Sequence, residues 1–270
     1  MTNQPGLPFR AVAFDLDDTL LRDDLTISDY TISVLRRLSA LGVKIIPASG
    51  RAKLSMKSYV DQIGCASVYI SCNGAELWDA ETHNLIHAEL FSAETGKQIA
   101  AYGKSRGCYT QTYDGEYFFF NEESVWAERY AASSKLKGIY VGDLEDYIRE
   151  PRNKILMMAE EDKIADMLRE AEPMFHGVAS VTCSKPWFLE FNPPEATKGK
   201  ALRRAVCGLG LEADDILAFG DSLNDLSMLQ TAGRGVLMAN GRTDLRPLCD
   251  DVCPSNQEDG VARYLEALFF

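Results

Sequence analysis

Short apolar segments alternate with segments of helical periodicity in the N-terminal part of the chain. After a candidate N-cap at Ser28, Ile32, Leu35, Leu38 and Leu41 recur at helical spacing. Buried strands are expected at residues 12–14, 43–48 and 68–71, and a second helix is expected over residues 53–63. This order of strand, helix, strand, helix and strand predicts a parallel sheet with right-handed crossovers.

The pattern changes between about Trp78 and Asn192, where strand pairs and helices are interleaved. Strands are expected at residues 85–90, 108–113, 116–120, 154–159, 178–183 and 187–191, and helices over 93–106, 122–136 and 162–171. The first pattern then resumes, with strands at 216–219 and 235–238 and helices over 198–209, 223–229 and 261–269. We therefore predict an α/β fold with a doubly wound, Rossmann-like parallel-sheet core in residues 1–80 and 190–270. An inserted α+β cap domain is predicted to occupy residues 81–189.

The composition is typical of a globular protein, since 46% of the 270 residues are hydrophobic and 25% are charged. No apolar run approaches the roughly 18–20 residues that a membrane span needs, and the first residues do not resemble a secretory signal. The seven cysteines are scattered and odd in number, which is typical of reduced thiols rather than a disulfide framework. We therefore expect a cytoplasmic protein with no membrane partner.

The charge of the chain restricts its partners further. A formal net charge of −12 argues against a nucleic acid or an anionic membrane surface as a partner. If the substrate is an anion, the site needs local cations or a bound metal to offset its own acidity. The sequence does not indicate an oligomeric state.

Three polar side chains follow the first predicted strand within five residues. Asp15 offers a possible nucleophile, Asp17 an acid or base, and Thr19 a hydroxyl group. The carboxyl ends of strands in a doubly wound sheet form the crevice in which ligands bind. Taken alone, however, an Asp-x-Asp segment is more often an acidic turn than a site.

Other polar groups occur at the same kind of junction, and their combination is more specific than any one of them. Each lies at a predicted strand end or helix start, where this class of sheet binds ligands. The four constellations are Asp15-x-Asp17-x-Thr19, Ser49-Gly50-Arg51, Lys198-Gly199-Lys200 and the segment of residues 220–225.

These motifs, in this order, resemble those of the haloacid dehalogenase superfamily of phosphohydrolases. The similarity is to the Cof-type branch, whose members carry a large α/β cap between the second and third motifs. It extends over the whole chain, through residues 15–20, 49–51, 71–75, 197–202, 220–225 and 255–262. The position of the family's cap agrees with the change of pattern after Trp78.

The resemblance implies a phosphatase that hydrolyses a small phosphorylated metabolite, such as a sugar phosphate, through an aspartyl-phosphate intermediate. Asp15 would be the nucleophile, and Asp17 would protonate the leaving oxygen and later deprotonate water. Ser49, the backbone N–H of Gly50 and the ammonium group of Lys198 would bind the phosphate.

The same resemblance implies a Mg²⁺ cofactor. Asp15, the backbone carbonyl of Asp17 and Asp221 would bind the ion, and Asp225 would act directly or through water. Converging carboxylates repel one another without a cation, and a hard divalent ion with oxygen ligands removes that repulsion.

Several roles stay open at this point. Asn224 could either hold its loop by hydrogen bonds or contact the phosphate, and Arg51 could reach the substrate or pair with a carboxylate. Asp18 replaces a glycine that many relatives carry, and it has no assigned task. The order Met238-Ala239-Asn240-Gly241 also differs from that of the branch, which leaves a local role for Asn240 open.

Two alternative functions are compatible with the motifs. A phosphomutase of the same fold would retain the phosphate for transfer, and a non-catalytic protein would only bind a phosphorylated metabolite. The presence of Asp15, Asp17, Lys198 and Asp221 together argues against a non-catalytic protein. Asp17 with no obvious cap motif for rephosphorylation favours hydrolysis over transfer. Loops of the cap, around residues 113–120 and 184–187, are expected to select the substrate.

Overall fold

The computed structural model describes residues 6–114 and 117–270. The strands, in chain order, are β1 (Ala11–Phe14), β2 (Lys44–Pro47), β3 (Val68–Ser71), β4 (Glu76–Asp79), β5 (Leu85–Ala88), β6 (Tyr109–Asp114), β7 (Tyr117–Phe120), β8 (Lys137–Tyr140), β9 (Ile155–Met158), β10 (Ser180–Thr182), β11 (Phe188–Asn192), β12 (Ile216–Gly220), β13 (Arg234–Met238) and β14 (Asp251–Cys253). The helices are α1 (Asp29–Ala40), α2 (Lys53–Ile63), α3 (Ala93–Ser105), α4 (Val125–Ser134), α5 (Leu144–Tyr147), α6 (Glu161–Met174), α7 (Lys198–Gly208), α8 (Leu226–Leu229) and α9 (Gly260–Phe269).

The first sheet is parallel throughout, with the strand order β14-β13-β12-β1-β2. All four residues of β1, an inner strand of this sheet, are buried, because both faces of the sheet are covered. Val12 and Phe14 pack into the hydrophobic cluster on one face, and Ala11 and Ala13 pack into the cluster on the other. This two-sided packing confirms the doubly wound core that the sequence predicts.

A small antiparallel sheet extends the core. Its strand order is β3-β4-β5, and a single parallel bridge from Ala48 to Ile70 connects it to the end of β2. Strand β5 therefore pairs on the core side of the structure, although its residues lie within the predicted cap range of 81–189. The domain boundaries themselves stay a prediction.

The remaining strands form a separate mixed sheet with the order β10-β11-β9-β6-β7-β8. Its neighbouring strands are antiparallel except for β7 and β8, which are parallel. Ile99 of α3 and Ile164 of α6 pack into the cluster on one face of this sheet. On the other face, Tyr130 of α4 shares a cluster with Ala52 and Cys72 of the core side. The parallel-sheet core with a separate α+β unit confirms the predicted fold class.

Some elements differ from the sequence-based prediction. Strands β4, β8 and β14 and the single turn α5 were not expected from the hydrophobic pattern. Buried and exposed residues do not alternate along β8, whose two end residues are both exposed. Its second residue is Gly138, and a Cβ there would lie 2.5 Å from the ring of Phe118, so a larger residue does not fit. The predicted turn at Asp114-Gly115 and the start of the strand at 116 lie partly outside the described residues.

Among the described residues, no helix combines the length and the apolar character that crossing a membrane requires. The seven cysteines are free thiols, as the sequence predicts.

Gly199 provides a test of how tightly α7 packs at the edge of the core. A Cβ at this position would lie 2.2 Å from the carbonyl oxygen of Ser227, so the helix has to move when alanine is introduced. We expect Gly199→Ala to lower the free energy of unfolding by about 1–3 kcal/mol, as overpacking does elsewhere. Urea unfolding followed by circular dichroism measures the change.

Gly208→Ala is the matched control, because Gly208 ends the same helix and nothing lies within 4 Å of its added Cβ. Alanine is expected to leave stability unchanged or to raise it by roughly 0.5–1 kcal/mol through helix propensity. Equal effects of the two substitutions would contradict the close packing at Gly199.

Candidate functional site

Asp15 lies at the carboxyl end of the inner strand β1 and is buried. Its backbone N–H donates to the carbonyl oxygen of Phe219 at 3.1 Å, which continues the pairing of β1 with β12. The ammonium group of Lys198 donates to Oδ1 of Asp15 and to Oδ1 of Asp225, each at 2.6 Å. Lys198 has no exposed surface, so a buried cation joins two carboxylates from distant parts of the chain.

The loop after β12 brings Asp221 and Asp225 to the same place. Oδ2 of Asp225 accepts hydrogen bonds from the backbone N–H groups of Asp221 and Ser222, both at 3.0 Å. The hydroxyl group of Thr19 donates to Oδ1 of Asp221 at 2.9 Å. A Cβ at Gly220 would lie 2.5 Å from Cβ of Asp225, so the tight turn requires glycine there. Asp225 therefore holds the loop, and Thr19 orients Asp221.

Carboxylate oxygens of Asp15, Asp221 and Asp225 lie within 4.8 Å of one another. Burial raises the pKa of Asp15 more than Lys198 lowers it, and the neighbouring carboxylates of Asp225 and Asp17 raise it further, to about 8. Burial, followed by the charges of Asp225 and Asp15, raises the pKa of Asp221 well above its ordinary value. The oxygen donors and their mutual repulsion fit a hard divalent cation, so these residues could hold a metal ion.

Asp17 does not share its carboxylate with this cluster. It accepts two hydrogen bonds from Arg51, from Nε at 2.8 Å and from Nη2 at 2.7 Å. Burial acts to raise the pKa of Asp17, but the charge and hydrogen bonds of Arg51 outweigh it and hold the pKa below its ordinary value. Nη1 of Arg51 also donates to Ser55 and to the carbonyl oxygen of Ser133 on α4. Of the two roles considered for Arg51, the structure has the pairing with a carboxylate.

Ser49 and Gly50 follow β2 and lie beside the same edge of the sheet. A Cβ at Gly50 would lie 2.9 Å from Oδ1 of Asn73, so the backbone approaches a polar side chain that leaves no room for a larger residue. Nδ2 of Asn224 donates to that same oxygen of Asn73 at 3.0 Å. Oδ1 of Asn224 is buried without a hydrogen-bond partner among the described residues, which suits contact with a ligand.

Two charged residues of the cap sheet were missed by the sequence analysis. Lys154 donates to the carbonyl oxygen of Gly50 at 2.7 Å and pairs with Glu190. Glu190 in turn accepts from Nδ2 of Asn73 at 3.1 Å. Both side chains are almost completely buried, with exposures of 3% and 2%. The available signal was a single charge next to apolar strand residues, since Glu190 lies within β11 and Lys154 directly precedes β9, and such charges are rarely buried without a partner.

Asp18 and Asn240, which had no assigned roles, contact each other, and Asp18 also contacts the cap. Nδ2 of Asn240 donates to the carbonyl oxygen of Asp18 at 2.7 Å. Lys185 of the cap donates to the carboxylate of Asp18 at 3.0 Å. Asp18 has a φ of 58°, which lies in the left-handed region that glycine adopts most easily. The Asp18 side chain therefore connects the core to the cap.

A cavity of about 480 Å³ lies between the parallel sheet and the cap. Its lining includes Asp15, Asp17, Ser49, Gly50, Asp221 and Asn224, whereas Lys198 and Asp225 are buried behind Asp15. On the cap side the expected loop of residues 184–187 contributes Ser184, Lys185 and Trp187. Residues 113–120, as far as they are described, do not line the cavity, and Tyr113 is buried beneath the cap sheet.

The parallel sheet, its carboxylate cluster and the covering cap define a hydrolase whose site is enclosed between two units. The chain belongs to the haloacid dehalogenase-like hydrolases, since it matches that family over residues 12–265. This confirms the resemblance to the Cof-type branch and the prediction of a phosphoric monoester hydrolase.

Individual relatives cover almost the whole chain. The chain is 28% identical to the 5-amino-6-(5-phospho-D-ribitylamino)uracil phosphatase of Bacillus subtilis, over 96% of this chain and 97% of that protein. It is 29% identical to the HMP-PP phosphatase of Yersinia enterocolitica, over 96% and 94% respectively. A solved haloacid dehalogenase-like hydrolase of Bacteroides thetaiotaomicron superimposes with a TM-score of 0.84 at 25% identity, covering 97% of this chain and 100% of that one.

Proposed function

We propose that the protein is a Mg²⁺-dependent phosphatase that hydrolyses a small phosphorylated metabolite through an aspartyl-phosphate on Asp15. The observation that carries the proposal is the buried contact between Lys198 and Asp15 at one end of the enclosed cavity. A carboxylate attacks a phosphate dianion only when the charge of the phosphoryl group is offset, and Lys198 supplies a fixed positive charge at that point.

In the proposed reaction, a carboxylate oxygen of Asp15 attacks phosphorus and the bond to the leaving oxygen breaks. Asp17 gives its proton to the leaving oxygen, and it later takes a proton from the water that hydrolyses the aspartyl-phosphate. Because Asp17 is held ionised by Arg51 in this structure, its acid role requires that this ion pair opens when the substrate binds.

The phosphate oxygens are proposed to be held by hydrogen-bond donors from both ends of the site. Ser49 offers its hydroxyl group, Gly50 its backbone N–H, and Lys198 its ammonium group. Asn224 is proposed to contact the substrate beside these donors, because it lines the cavity and its Oδ1, which has no partner among the described residues, can accept a hydrogen bond from a protonated phosphate oxygen or a substrate hydroxyl group. Its Nδ2 already donates to Oδ1 of Asn73 at 3.0 Å.

Mg²⁺ is proposed to bind to Asp15, Asp221 and the backbone carbonyl of Asp17, and when bound it would offset the charge of the phosphate oxygens. Asp225 is proposed either to contact the ion through a water molecule or only to hold the loop that carries Asp221. Its two oxygens already accept from Lys198 and from two backbone N–H groups, which leaves less capacity for a direct metal bond.

A small metabolite is favoured over a macromolecule because the cap covers the cavity. A volume of about 480 Å³ lies in the range of small-molecule sites. The named substrate of the Bacillus subtilis relative, 5-amino-6-(5-phospho-D-ribitylamino)uracil, belongs to this size class. We propose the same class for this chain, without transferring that particular substrate.

The proposal is tested by measuring phosphate release from a panel of sugar phosphates, phosphorylated vitamins and nucleotides in the presence of Mg²⁺. Turnover of at least one small monoester is expected, together with a rapidly formed protein-bound phosphate that hydroxylamine releases. Movement of the phosphate to another hydroxyl of the product would indicate a phosphomutase instead. Binding without turnover across the panel would indicate a non-catalytic protein.

Removing divalent cations is expected to abolish turnover. Adding Mg²⁺ is expected to raise the thermal unfolding temperature of the protein, and the increase should be larger at about pH 8.5 than at about pH 5. The folded-state pKa of Asp15, about 8, exceeds its ordinary value of 3.8, so the metal-free folded state binds more protons between these values. Its stability therefore falls as pH rises through this window. Cation binding to the ionised carboxylates counteracts that loss.

Thermal unfolding in chelator and in excess Mg²⁺, at both pH values, measures the effect. An Asp221→Asn variant is the control, because it removes one of the clustered carboxylates and should reduce the gain from Mg²⁺. An equal gain at both pH values would contradict the placement of the ion, and full activity in excess chelator would remove Mg²⁺ from the mechanism.

A further inference from the structure

Two of the three tryptophans of the chain line the cavity that contains Asp15. Trp126 lies on helix α4, and Trp187 lies immediately before strand β11. Tyr130, one helical turn after Trp126 and therefore on the same face of α4, also lines the cavity, as does Phe188. The ring centres of Tyr130 and Phe188 lie 6.4 Å apart and those of Trp187 and Phe188 lie 6.3 Å apart. These three side chains, with Trp126 one helical turn from Tyr130, are called the aromatic wall.

The aromatic wall has a feature that packing alone does not explain. Trp187 keeps 42% of its surface exposed, although a large indole ring is usually covered in a folded protein. Lys185 lies 6.0 Å from the centre of its ring, and Arg129 lies 5.5 Å from the centre of the Trp126 ring. Trp187 is therefore accessible to a ligand, and Trp126 and Phe188 beside it are partly exposed, whereas Tyr130 is buried behind them.

The wall belongs to the same cavity as the proposed nucleophile. Asp15, Asp17 and Ser49 line the core end, and the aromatic residues line the cap end. A substrate whose phosphate contacts Asp15 therefore has its leaving group on the aromatic side. Once the phosphate is in place, the leaving group is the part of the substrate that can cover these rings.

We propose that the substrate is a phosphate monoester whose leaving group carries a planar aromatic or heteroaromatic ring, which stacks against Trp126 or Trp187. This inference rests on the proposed phosphatase function and adds the chemical class of the leaving group to it. Planar rings gain from offset stacking on tryptophan in a way that puckered saturated rings do not.

A matched pair of ligands separates stacking from simple apolar burial. 2-Phenylethylphosphonate and 2-cyclohexylethylphosphonate have the same charge and nearly the same length, and neither can be hydrolysed. The saturated ring has the greater apolar surface, so a wall that only excludes water would bind it equally well or better. A stacking wall prefers the planar ring.

The experiment is calorimetric titration of both phosphonates in buffer that contains Mg²⁺, with the wild type and three variants. We expect the wild type to bind the phenyl compound about fivefold more tightly, in the range of aromatic pair energies. The preference is expected to fall below about twofold in Trp187→Leu and in Trp126→Leu. Tyr140→Leu is the matched control, because Tyr140 is an exposed aromatic residue of the cap sheet that does not line the cavity.

Loss of the preference in either tryptophan variant, with Tyr140→Leu unchanged, supports the inference. Equal binding of the two compounds, tighter binding of the cyclohexyl compound, or no binding of either would overturn it. So would a preference that persists in both tryptophan variants or disappears in the control.

Phosphate release from benzyl phosphate, measured in parallel, keeps the two proposals apart. Release combined with equal phosphonate binding retains the phosphatase and overturns the ring preference. A ring preference without release from benzyl phosphate or from any monoester of the panel means that the phosphatase proposal fails, and the substrate class fails with it. The cavity is then a binding site for ring-bearing phosphates.

Discussion

Asp15→Asn is expected to lower the rate of phosphate release at least about 10⁴-fold, the scale on which other enzymes lose activity with their nucleophile. The amide is isosteric with the carboxylate, but it cannot form an acyl phosphate by direct attack. Its oxygen can still accept the hydrogen bond from Lys198 that now measures 2.6 Å, so the fold should persist. Single-turnover assays with a small monoester and Mg²⁺ measure the loss.

Asp166→Asn is the control for this substitution, because Asp166 is an exposed aspartate of α6 that is not among the residues lining the cavity. It should retain the wild-type rate. The circular dichroism spectrum and unfolding midpoint of Asp15→Asn should confirm that it folds. A folded Asp15→Asn protein that releases phosphate at more than about a tenth of the wild-type rate would contradict the assignment of Asp15 as the nucleophile.

The core could be predicted from the sequence because its signals are local. Helix α1 has an N-cap at Ser28 whose side chain accepts from the backbone N–H of Thr31, and its apolar residues repeat at helical spacing. Strand β1 is apolar and buried on both faces. Strand β8 has no such signal, since Gly138 is there to make room for Phe118, which precedes it by twenty positions in the chain. Contacts of that kind depend on tertiary structure.

The carboxylate cluster could also be anticipated, for a topological reason. Parallel pairing of Phe14 with Phe219 places Asp15 beside the end of β12, so the loop that carries Asp221 and Asp225 has to lie next to it. Order along the chain is then enough to bring these side chains together, although they are some two hundred residues apart.

The contacts between core and cap could not be anticipated in this way. Whether Lys154 and Glu190 face Gly50 depends on how the cap sheet lies over the core, and no local pattern encodes that arrangement. The pairing of Lys185 with Asp18 depends on the same arrangement. Residues that were left without a role in the sequence, such as Asp18, therefore acquire one only in the folded molecule.

Lys198→Met is expected to combine a loss of activity with a loss of stability. Lys198 is fully buried and donates to Asp15 and Asp225, so methionine leaves two buried carboxylates without their cation. Removing one partner from a buried ion pair costs about 3–5 kcal/mol, because the remaining charge is neither solvated nor compensated. Urea unfolding at neutral pH in chelator should show a loss of this size, and phosphate release should become undetectable.

Lys200→Met is the matched control, because Lys200 lies two residues further along the same helix and pairs with Glu195 at the surface, where both side chains are about half exposed or more. An exposed ion pair contributes less than about 1 kcal/mol, so this variant should keep its stability and activity. Similar losses in the two variants would mean that Lys198 contributes only the general charge of the helix start.

The pH dependence distinguishes a lost charge from lost packing. Without Lys198, the pKa of Asp15 in the folded state rises further above its unfolded value, since Lys198 is the group that lowers it. A carboxyl group whose folded pKa is raised makes the protein less stable as pH rises from its unfolded pKa to its folded pKa, because over that range the unfolded chain releases the proton and the folded protein keeps it; above the folded pKa the loss is complete. In the wild type this loss is complete at about pH 8, whereas in Lys198→Met it continues to higher pH, so the difference in unfolding free energy between the two proteins should widen as pH rises above about 8. A difference that stays constant with pH would show that methionine fails to fill the space rather than that the cation is missing.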